Sequence, residues 1–470
     1  MSGEEDLREA DTVKIAELRE VEAVSAKIDY SPETRAIIDA FEGPYVRGVD
    51  PLDYPTHIWE GPRPTTFYEA PMLTQMVAEG KIPPLMERLP HVDDIFYERP
   101  MQEIGVYGGT YRTVGGLNIV MVDADGWCTK HDTDGDILIP WVCKDVQVSD
   151  DGKTYTYTLR RGHKWSDGSV FDTEDVRMAW HDLNFNREYT PFTPAKFRDP
   201  VTGNEMKVDI VDNTTFTFSF DTPVYDLIES RIADADCFGG VCMYTPDTYS
   251  KQFHPKYADD DEIKALLEKY NYKDWTELFR RNYDVRRIVD FPWLGAYTVC
   301  EPSERRRSMC RNPFFMGVDP AGNQLPYTDK WTSFFFESNE VALFRAMKGE
   351  EDHSGRYFGI DIFPLLKANM VKGDYSILDW STGASGGNTD STSFNQTFND
   401  DQEIGRLMRT KDFRLAVSHA VNRESMSDVL YLGMSTPRNL LPLPIHPYYP
   451  GAHLEEVEID YNPELAKELF

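Results

Sequence analysis

The chain has 470 residues, more than one hydrophobic core normally supports, so at least two lobes are expected. Its 49 basic against 80 acidic side chains leave a formal charge of −31, which disfavours nucleic acid or anionic lipid as a partner, because neutralising phosphates takes clustered Lys and Arg. No stretch approaches the ~20 consecutive apolar residues that would span a bilayer.

Taken in chain order, the first residues from Met1 to Leu18 are acidic and helical in pattern, without the basic start and apolar centre of a secretion signal. Residues 1–100 read as a helical and Pro-rich N-terminal extension, with amphipathic helices at 31–41, capped by Ser31, and at 74–79. Residues 101–335 read as a strand-rich first lobe with inserted helices. Its most informative run is Trp141–Trp180. There Ser149-Asp150-Asp151-Gly152-Lys153 is a tight turn, since Asp-Gly supplies the positive φ of a hairpin loop. Thr154 to Leu159 then alternates threonine with tyrosine, as a strand does. A second turn follows at Ser166-Asp167-Gly168, and Asp172 or Thr173 caps a helix that carries Glu174 and Asp175 in its first turn and shows Val176, Ala179 and Trp180 on one face. Further on, Thr215–Phe220 reads as a strand and Asp259–Tyr270 as a helix with Ile263, Leu266, Leu267 and Tyr270 apolar. Arg305-Arg306-Arg307, between the strand-like segments Tyr297–Glu301 and Ser308–Arg311, reads as a solvated turn. Residues 336–470 read as a second lobe: helix 338–349, strand Tyr375–Trp380, a Gly/Ser loop, strand 394–398, and helices 400–409 and 411–420. At the end, Asn462 or Tyr461 caps a helix with Pro463 in its first turn.

Five of these segments together resemble the family 5 extracellular solute-binding proteins of ABC importers, the dipeptide- and oligopeptide-binding type. They are Tyr107-Gly108-Gly109-Thr110-Tyr111-Arg112, the Trp141–Trp180 run, Asp290–Tyr297, the helix Glu340–Asp352 that ends in Gly-Glu-x-Asp, and the helix Asp412–Glu424. The resemblance implies an α/β fold, a two-lobe clamshell like that of periplasmic binding proteins (class II, cluster C). It also implies a periplasmic or extracellular, membrane-associated monomer that delivers solute to the permease subunits of an ABC transporter. The closing Tyr461–Phe470 is similar to the opening of a further family helix, so the second lobe is expected to be incomplete. The acidic residue that meets a peptide's α-amine in such proteins falls beyond it. The ligand implied is a small peptide, with an oligosaccharide as the alternative.

Six cysteines form no Cys-x-x-Cys, and zinc spacing with histidine is absent, so no structural metal is expected. The resemblance to a solute-binding family implies no cofactor and no catalytic residue. The even number of cysteines suits an oxidising compartment. Cys237 with Cys242 and Cys300 with Cys310 are candidate disulfides, buried free thiols being the alternative. Gly383-Ala384-Ser385-Gly386-Gly387 matches the Gly-x-Ser-x-Gly of hydrolases, yet no helix follows it to stabilise an oxyanion, so a flexible loop is favoured over a serine hydrolase. The acidic turns at Asp123–Gly126 and Asp132–Asp136 fail the spacing of a calcium loop, which needs glycine where Ile137 stands. For solute binding, the tryptophans in or beside loops are Trp127, Trp293 and Trp380, whose faces suit peptide side chains or sugar rings, with a core role as the alternative for each. Asn395 and Gln396 can offer amides, or serve a turn or cap. Thr113, Val114 and Gly115 follow the opening strand, where an exposed edge can pair with an extended peptide.

Overall fold

The structure, a computed structural model, describes residues 28–41, 58–100, 103–114, 128–131, 138–228, 243–285, 287–302, 306–336, 338–354, 358–377, 391–442, 444 and 448–470.

Helix α1 (Pro32–Phe41) starts where the Ser31 hydroxyl accepts from the Thr34 amide at 3.1 Å, and it buries Thr34 and Ile38. It is fastened to the body by Tyr30, whose hydroxyl donates to Asn323 Oδ1 at 2.9 Å. Two more helices, α2 (Pro71–Ala78) and α3 (Leu85–Arg88), precede a short strand β1 (Phe96–Tyr97). Arg88 is wholly buried, donating to the Pro313 carbonyl, to Gln324 and to the Glu69 carboxylate. Residues 58–100 are thus packed into the body.

Among the described residues, two four-stranded sheets follow. The first runs in the order β5 (Cys143–Val148), β6 (Thr154–Leu159), β8 (Thr215–Ser219) and β7 (Lys207–Ile210), antiparallel throughout. Alternation explains it: Tyr155, Tyr157 and Leu159 are buried while the threonines between them are not, and Tyr157 stacks on Phe216 with centroids 5.0 Å apart. Gly152 adopts φ +67 in the β5–β6 turn, as the Asp-Gly pair predicts. Helix α4 (Thr173–Arg177) opens with Asp172 accepting from the Glu174 amide at 2.8 Å while Asp175 accepts from the Asp172 amide at 2.9 Å, a reciprocal cap. The helix widens into a π-helical stretch over Met178–Asn184, whose Met178 and Leu183 pack with Ile263, Leu278 and Phe279 from α6 (Asp260–Tyr270) and α7 (Trp275–Arg281), beyond the short α5 (Asp247–Ser250).

The second sheet has the order β2 (Thr110–Val114), β12 (Lys330–Phe334), β10 (Arg306–Arg311) and β9 (Tyr297–Pro302), with β2 parallel to β12 and the rest antiparallel. Two small pairs complete the described strands, β3 (Thr129–His131) antiparallel to β4 (Leu138–Pro140), and β1 parallel to β11 (Gly317–Val318). Disulfides join Cys300 to Cys310 across β9 and β10, as the sequence suggests, and Cys128 to Cys143, a pairing the sequence did not suggest. Cys237 and Cys242 lie outside the described residues. Arg306 and Arg307 correct the expectation of a solvated turn: both belong to β10, with Arg307 6% exposed, because the antiparallel ladder to β12 runs on to Arg306↔Phe334.

From residue 338 on, the regular elements among the described residues are helices. Helices α8 (Asn339–Met347) and α9 (Phe363–Gly373) are held close at Gly349, whose φ is +66 and where a Cβ would collide with the Gly373 carbonyl. Then come α10 (Gln402–Arg409), α11 (Lys411–Ala420), α12 (Arg423–Leu430) and α13 (Pro463–Leu469), three of them capped by Asp401, Asn422 and Asn462. The expected strand 394–398 does not form. Asn395 Oδ1 instead accepts from the amide and hydroxyl of Thr397 at 3.1 and 2.9 Å, curling the backbone into a turn. Tyr375–Ile377 is likewise not a strand, and 378–380 falls outside the described residues.

Candidate functional site

Four of the five family-like segments meet in pairs. Ser166, in the second turn of the Trp141–Trp180 run, exchanges hydrogen bonds with Trp293: its amide donates to the Trp293 carbonyl at 3.0 Å, and its hydroxyl accepts from the Trp293 amide at 3.0 Å. Asn312 adds Nδ2 donations to the carbonyls of Gly295 at 2.8 Å and Trp293 at 3.3 Å. The Asp290–Tyr297 segment is therefore pinned from two sides, and the Trp293 side chain, 4% exposed, sits among Phe291, Val285, Val299 and Met309.

The opening strand meets the Gly-Glu-x-Asp segment in the same way. The Asp352 carboxylate takes the Arg112 guanidinium in a two-pronged grip, Nε to Oδ2 at 3.0 Å and Nη2 to Oδ1 at 2.8 Å, and also accepts from the Arg112 amide at 2.7 Å. In return the Asp352 amide donates to the Arg112 carbonyl at 2.8 Å, and Thr113 forms a parallel bridge with His353. The Arg112 guanidinium holds the Asp352 carboxyl below the usual carboxylate range. Next door, Glu351 is bound by Arg345 Nε at 2.6 Å, and burial raises its pKa. The Arg345 guanidinium in turn lies 4.4 Å from the ring centroid of Phe334 on β12.

On the sheet itself Tyr111 packs on Trp331, with centroids 4.3 Å apart, and burial pushes the Tyr111 hydroxyl up to about 12. Both rings are half-buried, and the indole N–H of Trp331 has no acceptor.

Thr113 and Val114 end β2, but the edge expected to be open for an extended ligand is engaged at Arg112 and Thr113 by residues 352–353. A lone edge strand leaves its amides and carbonyls unpaired, and the chain meets that need with its own turn. Asn395 and Gln396 are exposed and together, Asn395 serving the turn and the Gln396 carbonyl accepting from Arg409 at 3.3 Å. Gly115, Trp127, Trp380, Ser385 and the acidic runs 123–126 and 132–136 lie outside the described residues. The Tyr111–Trp331 pair and the Arg112–Asp352 grip were missed. Tyr111, Arg112 and Asp352 stand in segments singled out by resemblance, but nothing in a linear sequence pairs position 112 with 352.

Residues 138–470 match the family of bacterial extracellular solute-binding proteins, family 5 middle, and the chain belongs to that family. Among curated relatives, the periplasmic alpha-galactoside-binding protein of Rhizobium meliloti is 27% identical over 394 residues, which are 77% of this chain and 53% of that protein. The chain thus spans about half the length of this relative. Among solved structures, an oligopeptide-binding protein OppA is 30% identical with a TM-score of 0.68, over 87% of this chain and 64% of that one. The periplasmic binding protein MelB of Agrobacterium fabrum C58, in complex with stachyose, shares the fold at 23% identity and a TM-score of 0.61, over 84% of this chain and 60% of its own. The architecture is the mixed α/β, two-lobe clamshell of these proteins.

Proposed function

We propose that the chain is the solute-binding component of an ABC importer, which captures a peptide-like solute between two lobes and hands it to a membrane permease. The observation that carries this is the family match over 138–470, joined to the likeness to an oligopeptide-binding protein at 30% identity. Capture by lobe closure needs no bond-making, so the protein acts as a monomeric receptor that releases its solute unchanged. Two disulfides support an oxidising, extracellular or periplasmic setting. Among the described residues no helix is long and apolar enough to cross a membrane.

For the solute site we propose the end of β2 at Val114 and Gly115, the Asn395–Gln396 turn, and Trp127 and Trp380. Thr113 and Trp293 act from behind, Thr113 through its pairing with His353 and Trp293 as packed core. We also propose that the first lobe continues past residue 335, since the 352–353 turn adds to the edge of β2 and α8 packs against α9.

A second reading, an oligosaccharide solute, is favoured by the alpha-galactoside-binding relative and by the stachyose-bound MelB. Titration calorimetry of the full-length protein against short-peptide pools and against raffinose-type sugars separates the two. Peptide binding with a Kd of about 1 μM or tighter supports the first. Sugar binding alone replaces it with the second, and binding of neither overturns both.

A further inference from the structure

Helices α11 and α13 are joined by an ionic cluster as well as by apolar contact. His419, in the last turn of α11, is 1% exposed, and each ring nitrogen faces an acceptor: Nε2 stands 2.8 Å from Glu458 Oε2, and Nδ1 stands 3.0 Å from the Asp460 carbonyl. A neutral imidazole carries one N–H and can serve one of these acceptors, whereas an imidazolium serves both.

The charges around the ring favour the same state. The 458–460 segment supplies the Glu458 and Asp460 carboxylates, the latter 3.4 Å from Nδ1. The start of α12 supplies Arg423, whose Nη1 donates to the carbonyls of Ser418 at 2.9 Å and Ile459 at 2.8 Å. On α13, Glu464 and Lys467 pair with each other, and on α11 Arg414 is turned to the Met408 carbonyl. Two anions therefore face one cation until His419 is protonated, and protonation balances them.

The backbone gives an independent sign. Glu458 has φ 57, in the left-handed region that a residue with a Cβ enters only at a cost. The Ser418 hydroxyl, donating to the Glu458 carbonyl at 2.7 Å, holds it there. The outcome is a carboxylate aimed at the ring. One step further, the Asn462 amide donates to the His419 carbonyl at 2.9 Å, and the Asn462 side chain caps α13.

We propose that residues 418–423 and 458–462 form an acid-strengthened clip, which seats α13 on α11 most firmly when His419 carries a proton. The hydrogen bond to the Asp460 carbonyl and the Glu458 carboxylate raise the pKa of His419 above its ordinary value. A raised histidine contributes in full below about 6.5 and loses that contribution as pH climbs through its folded value.

The test is a histidine NMR titration of the full chain, with the His419 signal assigned by its loss in His419→Gln. The expected midpoint lies above about 6.5 and moves down in Glu458→Gln, a change on a half-exposed side chain. In parallel, the Tm gap between wild type and Glu458→Gln should be wider near about pH 6 than near about pH 8. A His419 midpoint at or below the ordinary value, or a Tm gap that does not change with pH, overturns the clip.

Discussion

Asp94 shows how much of the fold hangs on single polar side chains. Its carboxylate is 1% exposed and accepts from Arg161 Nε at 2.7 Å, Arg161 Nη2 at 3.0 Å, the Arg161 amide at 3.0 Å and Lys144 Nζ at 2.5 Å. These donors outweigh the cost of burial and keep its pKa far below the usual carboxylate range. A depressed carboxylate contributes stability above its unfolded value and loses it as pH falls through the folded one. Asp94→Asn should therefore cost about 2 kcal/mol at neutral pH by denaturant titration, and the difference from wild type should shrink in strong acid. Tyr157 poses the opposite case. Its ring is fully buried against Phe216 and its hydroxyl has no partner, so Tyr157→Phe removes an uncompensated desolvation and should raise stability by up to about 1 kcal/mol, read as a higher Tm.

At the scale of elements, the predictable parts were those specified within a few residues. The β5–β6 hairpin, the Asp172 cap and the helix after Asp259 all follow from turn chemistry, capping and side-chain alternation acting locally. Asp172→Ala should cost about 1 kcal/mol and show chiefly as faster amide exchange at Glu174 and Asp175. Strands set by distant partners were harder to read. Arg306-Arg307 looks like a turn until β12, further along the chain, supplies a ladder for it, whereas 394–398 is a local exception, reading as a strand although Asn395 folds it into a turn. The candidate site was legible as far as motifs go: Tyr-Gly-Gly-Thr-Tyr-Arg and Gly-Glu-x-Asp were both picked out, but their meeting through Arg112 and Asp352 spans 240 positions. The Cys300–Cys310 bridge was visible because its two ends lie on adjoining strands. Replacing both with serine should cost about 2–3 kcal/mol, since the closed loop is short.

For the whole molecule, the charge of −31 has a consequence that no single contact reveals. Like charges spread over one body repel, so added salt should raise Tm as the ionic strength climbs from about 0.01 M to about 0.15 M, before any specific anion effect enters. If the solute-capture reading holds, solute should also shrink the radius of gyration of the full-length protein in small-angle scattering, as closure of two lobes requires. The turn at 352–353 matters at this scale too. A bare sheet margin is an invitation for neighbouring copies to zip together into fibrils. By laying Asp352 and His353 along the outer side of β2, the polypeptide shuts that door from within, so Asp352→Ala is expected to leave the molecule folded yet prone to self-association, which light scattering over time would reveal.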